Sequence, residues 1–170
     1  FIKILKAIPF WIMLACGIGL LLIARMGTSM IGTPQLPVTY ELLSFLKGSF
    51  IIFAVIIIAI YVGELIWRDI DVKIAPVVDS TPMPDWLITF SKFTAIVMVE
   101  IFIIVFIILT GISIQISEGF YHFQLLVYLK VLMLTVLPYL VILTFLIFLI
   151  HTLINNKYVG HTIIVIFFLL

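Results

Sequence analysis

Phe50-Ile51-Ile52-Phe53-Ala54-Val55-Ile56-Ile57-Ile58-Ala59-Ile60-Tyr61-Val62 is an unbroken apolar run, relieved only by the Tyr61 hydroxyl. The stretch it centres extends over 48–66, with Ser49 and Glu64 as polar residues in its flanks. As a helix it would reach about 30 Å, the thickness of a bilayer's hydrocarbon core. The β-branched residues would favour strands in water. In lipid that preference yields, because a helix satisfies its whole backbone within one segment. A β-barrel requires strict alternation over about ten residues, and Ile56-Ile57-Ile58 does not alternate. Three further stretches of similar length follow the same logic: 7–24, 93–114 and 131–150. The reading is an all-α, polytopic transmembrane helix bundle occupying 1–170, with four full spans. A fifth span, over 162–170, looks truncated, and a short amphipathic helix follows span two.

Composition agrees. Of 170 residues, 65% are hydrophobic and only 10% charged, against roughly 25% charged in a soluble domain. Mean hydropathy is +1.44. A water-soluble enzyme could not bury that surface, and disorder needs the opposite composition. A net charge of +1 provides no basic face for nucleic acid. The single cysteine, Cys16, excludes an internal disulfide framework and a multi-cysteine metal cluster.

The chain opens Phe1-Ile2-Lys3 without a methionine and stops within an apolar run, so it reads as a fragment. Lys3 and Lys6 before an apolar stretch imitate a signal peptide, but no cleavage site with a polar mature domain follows. With the N-terminus cytoplasmic, Lys3, Lys6, Arg68, Lys73, Lys92 and Lys157 lie inside, and Arg25, Lys47 and Lys130 outside. This twofold bias sets the orientation and makes 67–92 and 151–161 cytosolic. Between spans one and two, glycines and prolines imply a turn region, then a short helix over about 39–45.

The densest polar segment is Gly63-Glu64-Leu65-Ile66-Trp67-Arg68-Asp69-Ile70-Asp71-Val72-Lys73-Ile74. Ile66, Ile70 and Ile74 recur every four residues, which predicts an amphipathic helix leaving span two. Ser80-Thr81-Pro82-Met83-Pro84-Asp85-Trp86 follows, and its two prolines force an extended elbow. Asp85 or Thr81 is placed to cap the next helix. Such a knob suits docking on another protein; the alternative is a helix lying on the lipid surface.

Glu100 falls inside span three, about 12 Å from its start. An intramembrane acid either serves function or holds helices together. Thr135 and Thr144 are the polar groups at matching depth on span four. Pro138 kinks or hinges that span, and Thr135 is placed to bond backbone groups so freed. His122, His151 and His161 carry no metal-ligand spacing and are expected at the interface, bonded to backbone or headgroups. No nucleophile elbow or Walker loop occurs, so any ATP-driven work needs a partner.

The segment 63–69, with Val78-Asp79-Ser80-Thr81-Pro82-Met83-Pro84-Asp85-Trp86 and Ser91-Lys92, resembles the first cytosolic loop of ABC-2-type transporter permeases. The similarity is greatest to bacterial permeases that carry an M1 aminopeptidase-like domain after their spans. Gly32-Thr33-Pro34, Pro37-Val38-Thr39-Tyr40, Gly119-Phe120-Tyr121-His122-Phe123 and Asn155-Asn156-Lys157-Tyr158-Val159-Gly160-His161 extend the resemblance over most of the chain.

The resemblance implies a permease of the bacterial inner membrane that pairs with a second permease unit and with ABC ATP-binding subunits. Those partner subunits would bind ATP and Mg, leaving this chain without a cofactor or catalytic residue. It places ATPase coupling on Glu64, Trp67, Arg68, Asp69, Asp79, Pro82, Pro84, Asp85 and Trp86, and favours export. No peptidase motif lies in the chain. Two other classes stay open: an intramembrane enzyme using Glu100, and a membrane anchor or assembly protein. Nothing in the spans marks a substrate.

Overall fold

The structure is a computed structural model. It describes residues 2–28, 38–73, 84–154 and 156–169. Among them lie six helices and no strand: α1 (Ile2–Leu5), α2 (Ile8–Thr28), α3 (Thr39–Asp71), α4 (Asp85–Ser117), α5 (Leu125–Leu153) and α6 (Lys157–Leu169). Three of them are long and apolar enough to cross a membrane, over Phe50–Asp71, Trp86–Ser117 and Leu125–Leu153. Half or less of each apolar stretch is buried in the bundle. Ile52, Ile56, Val105, Leu109, Leu134 and Ile142 face outward, which an apolar solvent tolerates and water does not.

Four full spans are therefore not what the described residues provide. The apolar part of α2 is Ile8–Ile23, short of the 18 residues that a span needs. The separate short helix expected over 39–45 is also absent. Those residues run straight into span two as one 33-residue helix, and Gly48 does not interrupt it. Glycine weakens a helix by about 1 kcal/mol, which a chain with no other way to satisfy its backbone in lipid absorbs.

Helix α3 is the hub, packing against α2, α4, α5 and α6. Its buried stripe is Leu42, Leu43, Leu46, Phe50, Ala54, Ile57, Ile58, Tyr61 and Val62. Spacings of three and four residues put these on one face. Across from them lie Ile96, Val99, Ile103 and Ile107 of α4, and Leu132, Val136, Leu140, Leu143 and Ile147 of α5. Phe10 of α2 meets Tyr61 and Phe102 in a ring cluster that includes Trp11 and Phe106.

The helix ends have identifiable causes. α3 stops where Lys73 takes φ +57 and its N–H donates to the Ile70 carbonyl. α4 ends in a Schellman motif: Gly119, at φ +75, donates to Ile116, and Phe120 donates to Gln115. At its start the capping position is Pro84, extended at φ −69 and ψ 136, with no side-chain cap. Asp85 is thus the first helical residue, not the cap, because Pro84 already presents the fixed extended backbone that precedes a helix. Thr81 and the rest of the elbow lie outside the described residues. α6 does have a side-chain cap: Asn156 Oδ1 accepts from the N–H groups of Tyr158 (3.0 Å) and Val159 (3.4 Å).

Pro138 leaves its mark on α5. The five residues Leu132–Val136 form a π-helical turn, closed by the Leu137 N–H donating to the Leu132 carbonyl. Pro138 has no N–H to return to the preceding turn. The Thr135 hydroxyl donates to the Val131 carbonyl one turn back, not to the Leu134 carbonyl that the missing Pro138 N–H would have served.

Candidate functional site

α3, α4, α5 and α6 alternate in direction. Their contacts gather the C-terminal ends of α3 and α5 with the N-terminal ends of α4 and α6 at one end of the bundle. α1 joins them, since Ile4 and Ala7 line a hollow of about 280 Å³ with Tyr61, Glu64, Leu65 and Arg68. The segments grouped on one side by the Lys/Arg count therefore do share one end.

The residues assigned to coupling divide into two groups there. Glu64, Arg68, Pro84 and Trp86 are exposed, Trp86 at 66%. Trp67 and Asp69 are turned inward and engaged within the chain. The Asp69 carboxylate accepts from the Lys92 ammonium at 2.6 Å, joining the tail of α3 to the head of α4. Asp71 is paired in the same way with Lys157 of α6, also at 2.6 Å. Asp85 is placed by its backbone alone, and Asp79 and Pro82 lie outside the described residues.

Trp67 leads to a group that the sequence reading missed. Its indole Nε1–H donates to His151 Nδ1 at 3.3 Å. The neutral His151 ring then carries its proton on Nε2, an atom buried without a partner among the described residues. The His151 and His161 rings meet edge to face, with centroids 4.8 Å apart. Two glycines make room for them. A Cβ on Gly63 would lie 2.4 Å from His161 Cε1, and one on Gly160 would lie 2.5 Å from His151 Nδ1. Instead of two interfacial histidines bonded to backbone or headgroups, the fold holds a packed knot of α3, α5 and α6. The available signal was slight: Gly63 and Trp67 are four apart on one helix face, but nothing in the pattern says which helix faces them. Among the described residues no three potential metal ligands gather.

Glu100 is fully buried near the middle of α4, about 22 Å from the helix's first residue. It lies deeper than expected because α4 begins at Asp85, two turns before the apolar run. The Thr144 hydroxyl of α5 donates to its Oε1, while Oε2 has no partner among the described residues. Thr135, the other hydroxyl considered, lies about 13 Å from Thr144 along α5 and bonds within its own helix. Glu100 and the coupling residues are thus separate features.

Comparison with protein-family models, with curated proteins and with solved structures gives no match for this chain.

Proposed function

We propose that this chain is the membrane-spanning permease subunit of an ABC-2-type transporter of the bacterial inner membrane, acting in export. The resemblance of its loop segments supports this reading. The observation that carries it furthest is mechanical: the α3 and α4 ends that flank the coupling loop are tied by the Asp69–Lys92 pair. A force applied to the exposed Arg68 and Trp86 would be delivered to two spans together. The end holding them faces the cytoplasm in this reading, with the N-terminus on the same side.

The mechanism is alternating access driven by a partner ATPase, which binds ATP and Mg. Closure of the ATP-binding subunits displaces the loop, and α3 and α4 follow as one body. The π-turn before Pro138 gives α5 a point at which it can bend, as such irregular turns do. A second permease unit completes the path. The chain itself hydrolyses nothing. Glu100, enclosed and bonded by Thr144, holds α4 to α5, a role that fits this reading better than that of an acid or base in an intramembrane enzyme.

The test is co-purification of the tagged full-length protein from mild detergent, scored by nucleotide photolabelling of the captured material. A stoichiometric ATP-binding subunit, lost on Arg68→Glu with Trp86→Ala while membrane insertion is kept, supports the proposal. Capture of no nucleotide-binding subunit, under conditions that keep other membrane complexes intact, refutes it and leaves the anchor reading.

A further inference from the structure

Tyr139 stands midway along the 29 residues Leu125–Leu153 of α5. By helical rise it is about 21 Å from either end. Its side chain is 45% exposed, and its hydroxyl makes no hydrogen bond among the described residues. With α5 across a bilayer, no headgroup or interfacial water lies within reach at that depth. A hydroxyl left there against acyl chains is costly, because hydrocarbon offers no acceptor.

The backbone one turn back has the complementary need. The carbonyls of Met133 and Leu134 would ordinarily accept from the N–H groups of Leu137 and Pro138. The Leu137 N–H goes to Leu132 instead, and Pro138 has none. The Thr135 hydroxyl does not stand in for them, since it donates to the Val131 carbonyl. Leu134 is 74% exposed, and Pro138 is exposed beside it. Irregular backbone at membrane depth is tolerated where protein covers it or where water lines it, and not against lipid.

One outward face of α5 thus carries, at mid-depth, a donor without an acceptor and carbonyls without their usual donors. Long side chains on a helix lean back over the preceding turn, towards its N-terminus. That brings the level of the Tyr139 hydroxyl to that of the Leu134 carbonyl. In a second copy standing parallel, about a two-fold axis along the membrane normal, this carbonyl lies at the same level. Each hydroxyl can then donate to the other copy's backbone, and both needs are met twice. Such reciprocity is the mark of a two-fold contact. A protein of different sequence would have to bring a donor and an acceptor of its own to this depth; a copy of this chain already has both. The rest of the face suits a parallel seam, since Thr135, Pro138, Ile142, Phe145 and Leu149 recur every three or four residues and all are exposed.

We propose that this face of α5 is a two-fold interface between two copies of the chain, closed by reciprocal hydrogen bonds from the Tyr139 hydroxyls to the Leu134 carbonyls. The inference requires that α5 cross a membrane and is independent of the permease reading.

The test is cysteine cross-linking of the full-length protein in its membrane, in a Cys16→Ser background because that thiol is exposed. On mild oxidation Ile142→Cys should give a disulfide-linked dimer, and Val105→Cys, on the outward face of α4, should not. In liposomes, single-molecule photobleaching then measures the dimer's dissociation constant. Tyr139→Phe keeps the ring and removes both hydrogen bonds, so the constant should rise about eightfold for two bonds of average strength between membrane helices. Pro138→Ala returns an N–H to the helix and should weaken the dimer by a similar factor, with the two changes together costing no more than either alone. A monomeric wild type, cross-linking at Val105→Cys equal to that at Ile142→Cys, or a dimer unaffected by Tyr139→Phe overturns the proposal. So does labelling of Ile142→Cys by a membrane-impermeant thiol reagent, which would make an aqueous path the occupant of this face.

Discussion

Gly160→Ala is the substitution that best tests the histidine knot. The added Cβ would lie 2.5 Å from His151 Nδ1 and 2.7 Å from its Cε1. The ring has no easy retreat: His151 is 2% exposed, and its Nδ1 is held by the Trp67 indole. Overpacking of this kind costs about 1–3 kcal/mol. Displacing the ring also breaks the Trp67 hydrogen bond, worth roughly 0.5–1.5 kcal/mol. Against this, alanine is better than glycine inside a helix by about 1 kcal/mol. The net loss is about 2 kcal/mol, or ~4–8 °C in Tm for a chain of this length. The assay is thermal unfolding in detergent followed by tryptophan fluorescence, with Trp11 and Trp86 replaced by Phe so that Trp67 alone reports on the knot. In a His151→Ala background the obstacle is gone, so Gly160→Ala should become neutral or raise Tm. A Tm at or above wild type for the single variant, or an equal drop in both backgrounds, refutes the packing argument.

Two further predictions follow from the same geometry. Thr144→Val should lower the SDS-unfolding midpoint by an amount equivalent to about 0.6–1.7 kcal/mol, the range for hydrogen bonds between membrane helices. In a Glu100→Leu background it should cost nothing, and an equal cost in both would show that Thr144 acts without Glu100. Gly48→Ala and Gly111→Ala should move Tm in opposite directions. A Cβ on Gly48 meets nothing within 4 Å and should stabilise α3 by up to about 1 kcal/mol, whereas one on Gly111 would lie 2.9 Å from Tyr128 Cε1, a fully buried ring.

Much of the candidate site was legible at the level of residue types. Glu100 stood out because an acid inside an apolar run is costly anywhere along it, and Thr144 was one of two hydroxyls at matching depth. Choosing Thr144 over Thr135 required the packing, which sets Thr144 against Glu100 and leaves Thr135 about 13 Å away along α5. The resemblance gave Asp69 and Trp67 a coupling role, which says nothing of their contacts within the chain. They turn inward because α4 brings Lys92 alongside, and α5 brings His151.

The sequence by itself determined that the chain forms helices long and apolar enough to cross a bilayer, because satisfying the backbone in lipid is a local matter settled within each segment. It also located Pro138, whose effect acts along its own helix, but not the caps: Pro84 rather than Asp85 precedes one helix, and Asn156 caps another. The tertiary structure alone decided which polar groups are paired. Asp69 meets Lys92 across 23 residues, Trp67 meets His151 across 84, and Asp71 meets Lys157 across 86. Such partners lie on different helices, and no periodicity within one helix records which face of another it will meet.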